Sequence, residues 1–351
     1  MKKTPRVLLL VDWIPEDDND FLVALRENGL DCDCIGNNFS TSKWSPINKM
    51  NKMFSHWPKC LWVSIKAFRR RHDYDYVIAW QQIMGMFLGA IKLIAFSDSP
   101  KVFLLTATIV ERKNPVLETL RRWFISVSLK KVNQISFMSN DYMRAMQERF
   151  KLSDNQLVHL KYPITFKKNP EYSGFKPDSY LYTVGLSYRD FPTLMAAAKK
   201  CSKQFVLATK DAFLKGLTIP DNVTVYRNAF GNAAEELMKQ SAAVILPLER
   251  TTSPAGETTL VNAMLYGKPV ITTKTVITQE WIQNGENGFL VPVHDSDAIV
   301  DAINVLFSDR DKADEIGRRA RQSMLDNHSM DLYAKKIAHI IQNSIQETGM
   351  L

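Results

Sequence analysis

The chain has 351 residues, of which 45% are hydrophobic and 23% are charged. These values are typical of an ordinary globular protein, and the length is sufficient for two hydrophobic cores. The four cysteines have neither the spacing of a disulfide framework nor that of a zinc site: Cys32, Cys34, Cys60 and Cys201. This excludes a disulfide scaffold and a structural zinc fold, and it favours a reducing, cytoplasmic compartment.

The net charge of +8 is confined to the first half of the chain. Up to residue 165 there are 24 Lys and Arg against 16 Asp and Glu, and the remaining 21 of each cancel. The excess is densest in segment 49–75, where basic and aromatic residues alternate. Such a segment can bind an anionic membrane surface, and its candidate contacts are Lys66, Arg69, Arg70 and Arg71. The alternative is a solvated helix whose aromatic side chains face the core. No nucleic-acid-binding module is recognisable, so we expect no nucleic acid partner.

The amino-terminal region lacks the pattern of a signal peptide. Asp12 and an acidic cluster directly follow its short apolar run, and no small-residue cleavage site is present. The most apolar window, 83–96, is too short to span a bilayer and contains Lys92, so it predicts a buried helix. We therefore expect a cytoplasmic protein that could associate peripherally with the inner face of the membrane through the basic segment.

The first half of the chain alternates between strands and helices. Apolar runs of strand length occur at 6–14, 31–37, 74–80, 101–108 and 134–140. The segment 21–29 has helical spacing and ends at Gly29, a residue type common just past helix ends. This alternation is typical of a parallel sheet covered on both faces.

The region 163–179 interrupts this pattern with three prolines and a glycine. Strands then recur at 180–186, 204–209, 223–228, 242–248, 269–273 and 288–292. Helices are expected near 191–201, 232–240, 259–266, 296–307 and 311–326, followed by a long amphipathic helix at 330–347. The sequence thus predicts an α/β protein with two doubly wound Rossmann-like domains, at 1–165 and 180–328. A linker at 166–179 and a final helix within 329–351 complete the organisation.

The stretch SPAGETTLVNAMLYGKPVIT (253–272) predicts an anion-binding site. Gly256 lies in a loop of small residues before a helix that we expect to begin at Thr259, with Thr258 as its N-cap. The exposed amides and the positive dipole end of such a helix suit a phosphate. Glu257 and Asn262 can hold hydroxyl groups, so the stretch fits a sugar nucleotide. An ordinary strand–loop–helix unit would carry the same spacing.

The run 253–321 resembles the C-terminal signature of glycosyltransferase family 4. The matching positions are Ala263-Met264, Gly267-Lys268-Pro269-Val270-Ile271, Asn284-Gly285, Asn287-Gly288-Phe289-Leu290-Val291 and Asp297. The resemblance implies a GT-B fold, in which two Rossmann-like domains face each other across a cleft and the C-terminal helix crosses back to the first domain. It also implies transfer of a sugar from a nucleoside-diphosphate sugar with retention of configuration, without a metal or a cofactor.

The resemblance also assigns residues to the donor. A basic pair contacts the donor pyrophosphate in this family, and Arg189 and Lys210 follow the corresponding strands here. Backbone groups of Asn228, Ala229 and Phe230 are expected to hold the base. The remaining donor-site candidates are Gly185, Gly256, Glu257, Thr258, Thr259 and Asn262. Arg189, Lys210 and Glu257 are the predicted catalytic residues.

The sequence departs from the family pattern in several places. Asn262 replaces the glutamate that typically holds the ribose, and Glu257 occupies a position where one subgroup has glutamine. The first domain lacks the usual glycine pair after its first strand and the histidine after a middle strand. The acceptor-side candidates are therefore Asp12, Trp13 and Thr108.

We predict a hexosyltransferase that uses a UDP- or GDP-sugar donor and a polysaccharide or lipid-linked oligosaccharide acceptor in cell-surface glycan synthesis. The main alternative is a non-catalytic subunit of the same fold that binds nucleotide sugars. A sugar-nucleotide epimerase is a further alternative. A nicotinamide dehydrogenase is disfavoured because no Gly-x-Gly-x-x-Gly follows the first strand. The Asp-x-Asp pairs are interpreted as solvated, so no metal site is predicted.

Overall fold

The computed structural model describes residues 4–12, 19–36, 46–105, 107–109, 115–161, 163, 170–186, 188–227, 229–251 and 255–347. The chain forms two compact units. The first comprises Met1–Pro163 together with Met330–Leu351, and the second comprises Ile164–Ser329. Each unit contains one parallel sheet with helices on both faces.

The first unit contains a six-stranded sheet in the order β2-β1-β3-β4-β5-β6. Its strands are β1 Arg6–Leu10, β2 Asp31–Ile35, β3 Tyr76–Ala79, β4 Lys101–Leu104, β5 Gln134–Phe137 and β6 Leu157–His159. All neighbouring strands are parallel. The central strand β3 is buried along its whole length, which explains why its sequence is continuously apolar rather than alternating.

The helices of the first unit are α1 Asp20–Glu27, α2 Pro46–Arg69, α3 Gln82–Ile94, α4 Pro115–Leu129, α5 Asn140–Phe150 and α12 Met330–Glu347. Helices α1 and α12 share one apolar core, whereas α2 to α5 contribute to the other. The C-terminal helix α12 therefore packs against the first unit, and Asn28 Nδ2 donates a hydrogen bond of 2.8 Å to Asp331 Oδ1.

The second unit contains a six-stranded sheet in the order β12-β11-β10-β7-β8-β9. Its strands are β7 Leu181–Val184, β8 Phe205–Ala208, β9 Val223–Tyr226, β10 Ala243–Leu246, β11 Val270–Thr273 and β12 Phe289–Val291. Its helices are α6 Phe191–Lys199, α7 Asn232–Gln240, α8 Glu257–Leu265, α9 Thr278–Trp281, α10 Ser296–Ser308 and α11 Arg310–Asn327. The order of the strands reverses at β7, which places a crevice at the carboxyl ends of β7 and β10.

The predicted α/β class with two doubly wound domains is confirmed. The apolar window 83–96 coincides with α3, whose Lys92 is fully buried and donates to Pro100 O at 2.5 Å. Of the two interpretations of segment 49–75, the one in which its aromatic side chains face the core is wrong for Trp57 and Trp62, which are 42% and 46% exposed. None of the helices within the described residues combines the length and low polarity needed to cross a bilayer.

Candidate active site

The candidate site lies at the carboxyl edge of the second sheet, where the loops after β7, β8 and β10 converge. Two hydrogen bonds connect the ends of β7 and β8. Gly185 N donates to Ala208 O at 3.2 Å, and Thr209 Oγ1 donates to Gly185 O at 2.8 Å. The loop after β7 also forms a bridge between Arg189 and Leu248, just beyond β10. These contacts bring three segments distant in sequence to one edge.

Arg189 is half-buried in this edge. Its Nε donates a hydrogen bond of 3.0 Å to Val184 O, and its Nη2 donates one of 3.2 Å to Thr259 Oγ1. Burial lowers the pKa of Arg189 to about 10, so the guanidinium still carries its charge at neutral pH. The side chain therefore connects the end of β7 to the first turn of α8 and brings a positive charge to that turn.

Gly185 provides the space that the Arg189 side chain occupies. A Cβ built at this position would lie 2.6 Å from both Cζ and Nη2 of Arg189, and the glycine has a φ of +144°. Any larger residue would have to displace the guanidinium and adopt a backbone conformation that favours glycine. The predicted donor-site residues Gly185 and Arg189 thus form one structural unit.

Helix α8 begins two residues earlier than predicted. Its N-cap is Gly256, with a φ of +82°, and Glu257 rather than Thr259 is its first residue. A Cβ at Gly256 would lie 3.1 Å from Leu246 and 3.2 Å from Leu248, so this glycine lets the loop approach the end of β10 closely. The first helical hydrogen bond runs from Leu260 N to Gly256 O, which leaves the amides of 257–259 without an intrahelical acceptor. The sequence did not reveal this start because Gly256 supplies no capping side chain.

These elements enclose a pocket of about 420 Å³. It is lined by Leu186, Tyr188, Arg189, Ala255, Gly256, Glu257, Thr258 and Thr259. The guanidinium and the amino end of α8 thus contribute positive potential to the same pocket. Such a combination can bind an anion, and the anion-binding role of these residues stays a prediction.

Glu257 is the buried acidic group of this pocket. Its side chain is 8% exposed, and its Oε1 has no hydrogen-bond partner among the described residues. Burial, with a smaller contribution from the negative charge of Glu280, raises the pKa of Glu257 to about 8. The carboxyl group therefore holds its proton through most of the physiological range.

The other predicted donor residues lie on neighbouring elements. Lys210 follows β8, is half-buried, and places its Nζ 5.4 Å from the ring centroid of Phe230. Ala229 is buried, and Asn228 lies outside the described residues. Asn262 is half-buried within α8. Neither Lys210 nor Asn262 is among the residues lining the 420 Å³ pocket.

The acceptor-side candidates belong to the first unit. Asp12 follows β1 and is half-buried, and Trp13 lies outside the described residues. Thr108 follows β4, and its backbone makes two hydrogen bonds with the side chain of Gln82, at 2.8 Å and 3.0 Å. Both described residues therefore lie at the carboxyl edge of the first sheet.

The basic candidates for membrane contact lie on and just after α2. Lys66 and Arg69 are exposed, and Lys66 Nζ lies 3.5 Å from the centroid of the Trp62 ring. Arg70 forms ion pairs with Asp73 and Asp33 at 3.4 Å and 3.9 Å. The Arg71 guanidinium lies 4.7 Å from the centroid of the Phe68 ring. Arg70 and Arg71 thus also contribute to local structure.

A polar cluster that the sequence did not indicate lies beside Arg189. The ring of His294, after β12, contacts the buried Asp190 Oδ2 through Nδ1 at 2.8 Å and approaches Glu249 through Nε2 at 3.7 Å. Asp190 also accepts a hydrogen bond from the backbone amide of Thr193 and so caps the amino end of α6. The side-chain N and O atoms of these three residues lie close enough together to ligate a metal ion. We interpret the cluster as a set of contacts that holds three loops together. Asp190 and His294 lie 104 positions apart in the chain, which hid their contact from sequence reasoning.

The chain resembles known proteins in both sequence and fold. Residues 208–323 match the family model described as glycosyl transferases group 1. The fold is similar to that of a sucrose-phosphate synthase from Thermosynechococcus elongatus, with a TM-score of 0.71 and 14% identity over 98% of this chain and 100% of that chain. A glycosyltransferase from Rickettsia africae has a TM-score of 0.64 and 13% identity, with coverage of 97% and 99%. Anabaena HepE in complex with UDP-glucose has a TM-score of 0.61 and 15% identity, with coverage of 97% and 100%. No curated protein sequence matches the chain significantly.

The two doubly wound units and these structural matches place the chain among proteins of the GT-B fold. Within its second unit, residues 208–323 match that family model, and this stretch contains β9 to β12 and the whole of α8. The resemblance to GT-B glycosyltransferases that the sequence indicated is thereby confirmed.

Proposed function

We propose that this glycosyltransferase moves a hexosyl group from a UDP- or GDP-sugar to a polysaccharide or lipid-linked oligosaccharide, with retention of configuration, in cell-surface glycan synthesis. The observation that carries the proposal is the pocket in which the Arg189 guanidinium and the amino end of α8 meet. The similarity of the fold to Anabaena HepE, whose structure is a complex with UDP-glucose, supports a donor of this class.

The proposed chemistry depends on the leaving group. Cleavage of the bond between the sugar and the diphosphate increases negative charge on the diphosphate oxygens. Arg189, Lys210 and the free amides of 257–259 would stabilise that charge as it develops, which lowers the barrier of the chemical step. Because these groups provide positive charge from the protein itself, the step requires neither a metal nor a cofactor.

The remaining donor contacts follow from the same placement. The backbone of Asn228, Ala229 and Phe230 would hold the base, and Asn262 would hold the ribose with an uncharged amide. Glu257 would bind hydroxyl groups of the sugar. The acceptor hydroxyl would attack on the face from which the diphosphate leaves, which retains the anomeric configuration. On the first unit, Asp12, Trp13 and Thr108 are the proposed acceptor contacts.

Nucleotide binding by the full chain tests the donor site. Thermal unfolding and calorimetric titration with UDP and with GDP should show stabilisation by one of them. The double variant Arg189→Ala, Lys210→Ala should lose it, because it removes both cations. Lys199→Ala with Lys215→Ala removes two exposed cations of the same unit and serves as the matched control. Stabilisation that survives loss of Arg189 and Lys210 would exclude these residues as the diphosphate contacts.

The second candidate function is a non-catalytic subunit that binds nucleotide sugars. It is favoured by Asn262, which brings no charge to a position where the family typically has glutamate. Incubation with UDP- and GDP-hexoses distinguishes the two functions, since an enzyme should slowly release the nucleoside diphosphate and a binding subunit should not. With an acceptor present, proton NMR of the new anomeric centre would distinguish retention from inversion.

We also propose that the first unit associates with an anionic membrane surface. The exposed side of α2 combines the aromatic and aliphatic side chains of Trp57, Leu61 and Trp62 with Lys66 and Arg69, and no acidic residue occurs in 46–71. Helix α4 exposes a further apolar stripe, Val116, Leu117, Leu120 and Trp123, each more than half exposed. Apolar side chains flanked by cations are suited to the interface of an anionic bilayer.

A further inference from the structure

Glu257 is a buried acidic residue in the lining of the pocket. It lines the pocket, is 8% exposed, and has an Oε1 without a hydrogen-bond partner among the described residues. An ionised carboxylate in such a position loses its hydration and gains no hydrogen bond in return. The neutral acid has a much smaller desolvation cost.

Charged groups of both signs lie around Glu257, and the net effect of its buried surroundings is to raise its pKa. Glu280 of α9 is negative and raises the pKa of Glu257 further. Arg189 lines the same pocket, but its guanidinium donates hydrogen bonds to Val184 O and Thr259 Oγ1. Among the described residues, no ion pair within 4.0 Å involves Glu257. Arg321 of α11 contacts α8 at its far end, where it donates to Leu265 O.

The strand next to Gly256 presents apolar side chains at this point. Gly256, adjacent to Glu257, packs against the side chains of Leu246 in β10 and of Leu248 just beyond it. A diphosphate bound at the amides of 257–259 would therefore bring negative charge next to a carboxyl group that has no counterion within 4.0 Å in the described part of the chain. Two like charges at close range repel strongly when one of them is buried.

Resting on the function proposed above, we propose that the nucleoside diphosphate binds only when Glu257 is in its carboxylic acid form, so that binding is coupled to one proton. At a pH above the pKa of Glu257 in the nucleotide-free protein, the carboxylate takes a proton from solvent as the ligand enters. That proton forms the O–H bond of the carboxylic acid. The acid has nearly the same shape as the carboxamide of glutamine and can likewise donate a hydrogen bond. Glu257 is thus a protonated binding residue rather than a charged one.

Calorimetric titration of the full chain with UDP and GDP between pH 7 and pH 9.5 tests this coupling. The terminal phosphate of the nucleotide, with a pKa of about 6, is ionised throughout this range. We expect the affinity to fall about tenfold for each pH unit above the pKa of Glu257. Repeating the titrations in buffers of different ionisation enthalpy should reveal uptake of about one proton.

Two substitutions assign the proton to Glu257. In Glu257→Gln, affinity should not vary with pH over this range and proton uptake should disappear, because the amide cannot ionise. In Glu280→Gln, the fall in affinity should begin at lower pH, since a negative charge that favours the acid form is removed. Glu286→Gln, at an exposed position, is the matched control and should leave the profile in place.

The results separate the two proposals. Wild-type protein that binds UDP or GDP equally well from pH 7 to pH 9.5 without proton uptake would overturn the coupling and leave the donor site intact. The same conclusion would follow if Glu257→Gln kept the wild-type pH profile. Failure of both nucleotides to bind at any pH, with the fold verified by circular dichroism, would overturn the proposed function and this inference with it.

Discussion

The Arg189 guanidinium occupies the space directly above Gly185, where any side chain would collide with it. A Cβ at position 185 would lie 2.6 Å from Arg189 Cζ, well inside normal contact distance. The same guanidinium donates a hydrogen bond to Thr259 in α8. The absence of a side chain at residue 185 therefore determines whether Arg189 can bring its positive charge to the amino end of that helix.

Gly185→Ala should therefore abolish nucleotide binding nearly as completely as Arg189→Ala. The methyl group displaces the guanidinium from the pocket, and calorimetric titration with UDP or GDP would measure the loss. The substitution should also cost about 1–3 kcal/mol of stability, because alanine is strained at this φ. Gly216→Ala imposes a positive φ of +82° on alanine with nothing within 4 Å of the new Cβ, so it should lower stability without affecting binding. If Gly185→Ala binds UDP or GDP normally, the placement of the Arg189 guanidinium over residue 185 is not essential for nucleotide binding.

Thr259→Val tests the hydrogen bond that fixes Arg189 against α8. Valine keeps the shape of threonine and removes the oxygen that accepts from Nη2 at 3.2 Å. A lost hydrogen bond to a charged donor is worth about 1.5–3 kcal/mol, so binding of UDP or GDP should weaken by one to two orders of magnitude. Thr224→Val, on the exposed side of β9, is the matched control. Equal affinities for the two variants would show that Arg189 is positioned by its other contacts.

Glu257→Gln should make the stability of the free protein less dependent on pH. The pKa of Glu257 is about 8 in the folded chain against 4.5 for the free side chain, so the folded state binds more protons between these values. Its contribution to stability is complete below pH 4.5 and is lost as the pH rises toward 8. The unfolding free energy of Glu257→Gln relative to wild type should thus rise by about 3.5 kcal/mol between pH 5 and pH 8.

Urea unfolding at several pH values measures this difference, with Glu286→Gln at an exposed position as the control. A difference in unfolding free energy between wild type and Glu257→Gln that stays constant from pH 5 to pH 8 would contradict the buried neutral acid. This measurement involves no nucleotide, so it tests the state of Glu257 independently of the proposed function.

Flotation with vesicles of equal parts phosphatidylcholine and phosphatidylglycerol tests the membrane surface. Reversing the exposed charges of α2 in Lys59→Glu, Lys66→Glu, Arg69→Glu should weaken binding on the order of 100-fold, since each cation contributes about 1 kcal/mol. This set is cleaner than reversal of Arg69, Arg70 and Arg71, because Arg70 and Arg71 make contacts within the fold.

The matched control reverses three exposed lysines of the second unit, Lys199, Lys215 and Lys312, and should leave vesicle binding unchanged. Trp123→Ser with Leu120→Ser tests the apolar contribution of α4 and should also reduce binding. If the α2 variant floats as well as wild type, the basic segment is not a membrane surface.

Much of the fold was predictable because its causes are local. The continuous apolar runs of β3 and β10 reflect burial on both faces, which a single strand reveals in its own composition. The alternation of such runs with helical spacing then specifies parallel sheets. Likewise Gly267, with its φ of +70°, marked the end of α8 from the sequence, because few other residues adopt that conformation.

The start of α8 and the exposure of Trp57 and Trp62 were not predictable in the same way. Gly256 caps the helix through backbone conformation and close packing on Leu246 and Leu248, neither of which leaves a side-chain signature. Whether an aromatic residue faces the core or solvent depends on which side of α2 meets α3, and that is settled only when the helices pack.

The sequence by itself determined the α/β class, the division into two doubly wound halves and the glycine that ends α8, because these follow from local burial patterns and backbone freedom. Only the tertiary structure placed Arg189 above Gly185, joined His294 to Asp190 and left the Glu257 carboxyl buried, its Oε1 without a hydrogen-bond partner among the described residues. Those features depend on distances between segments far apart in the chain, and on the loss of water around them, which local sequence does not encode.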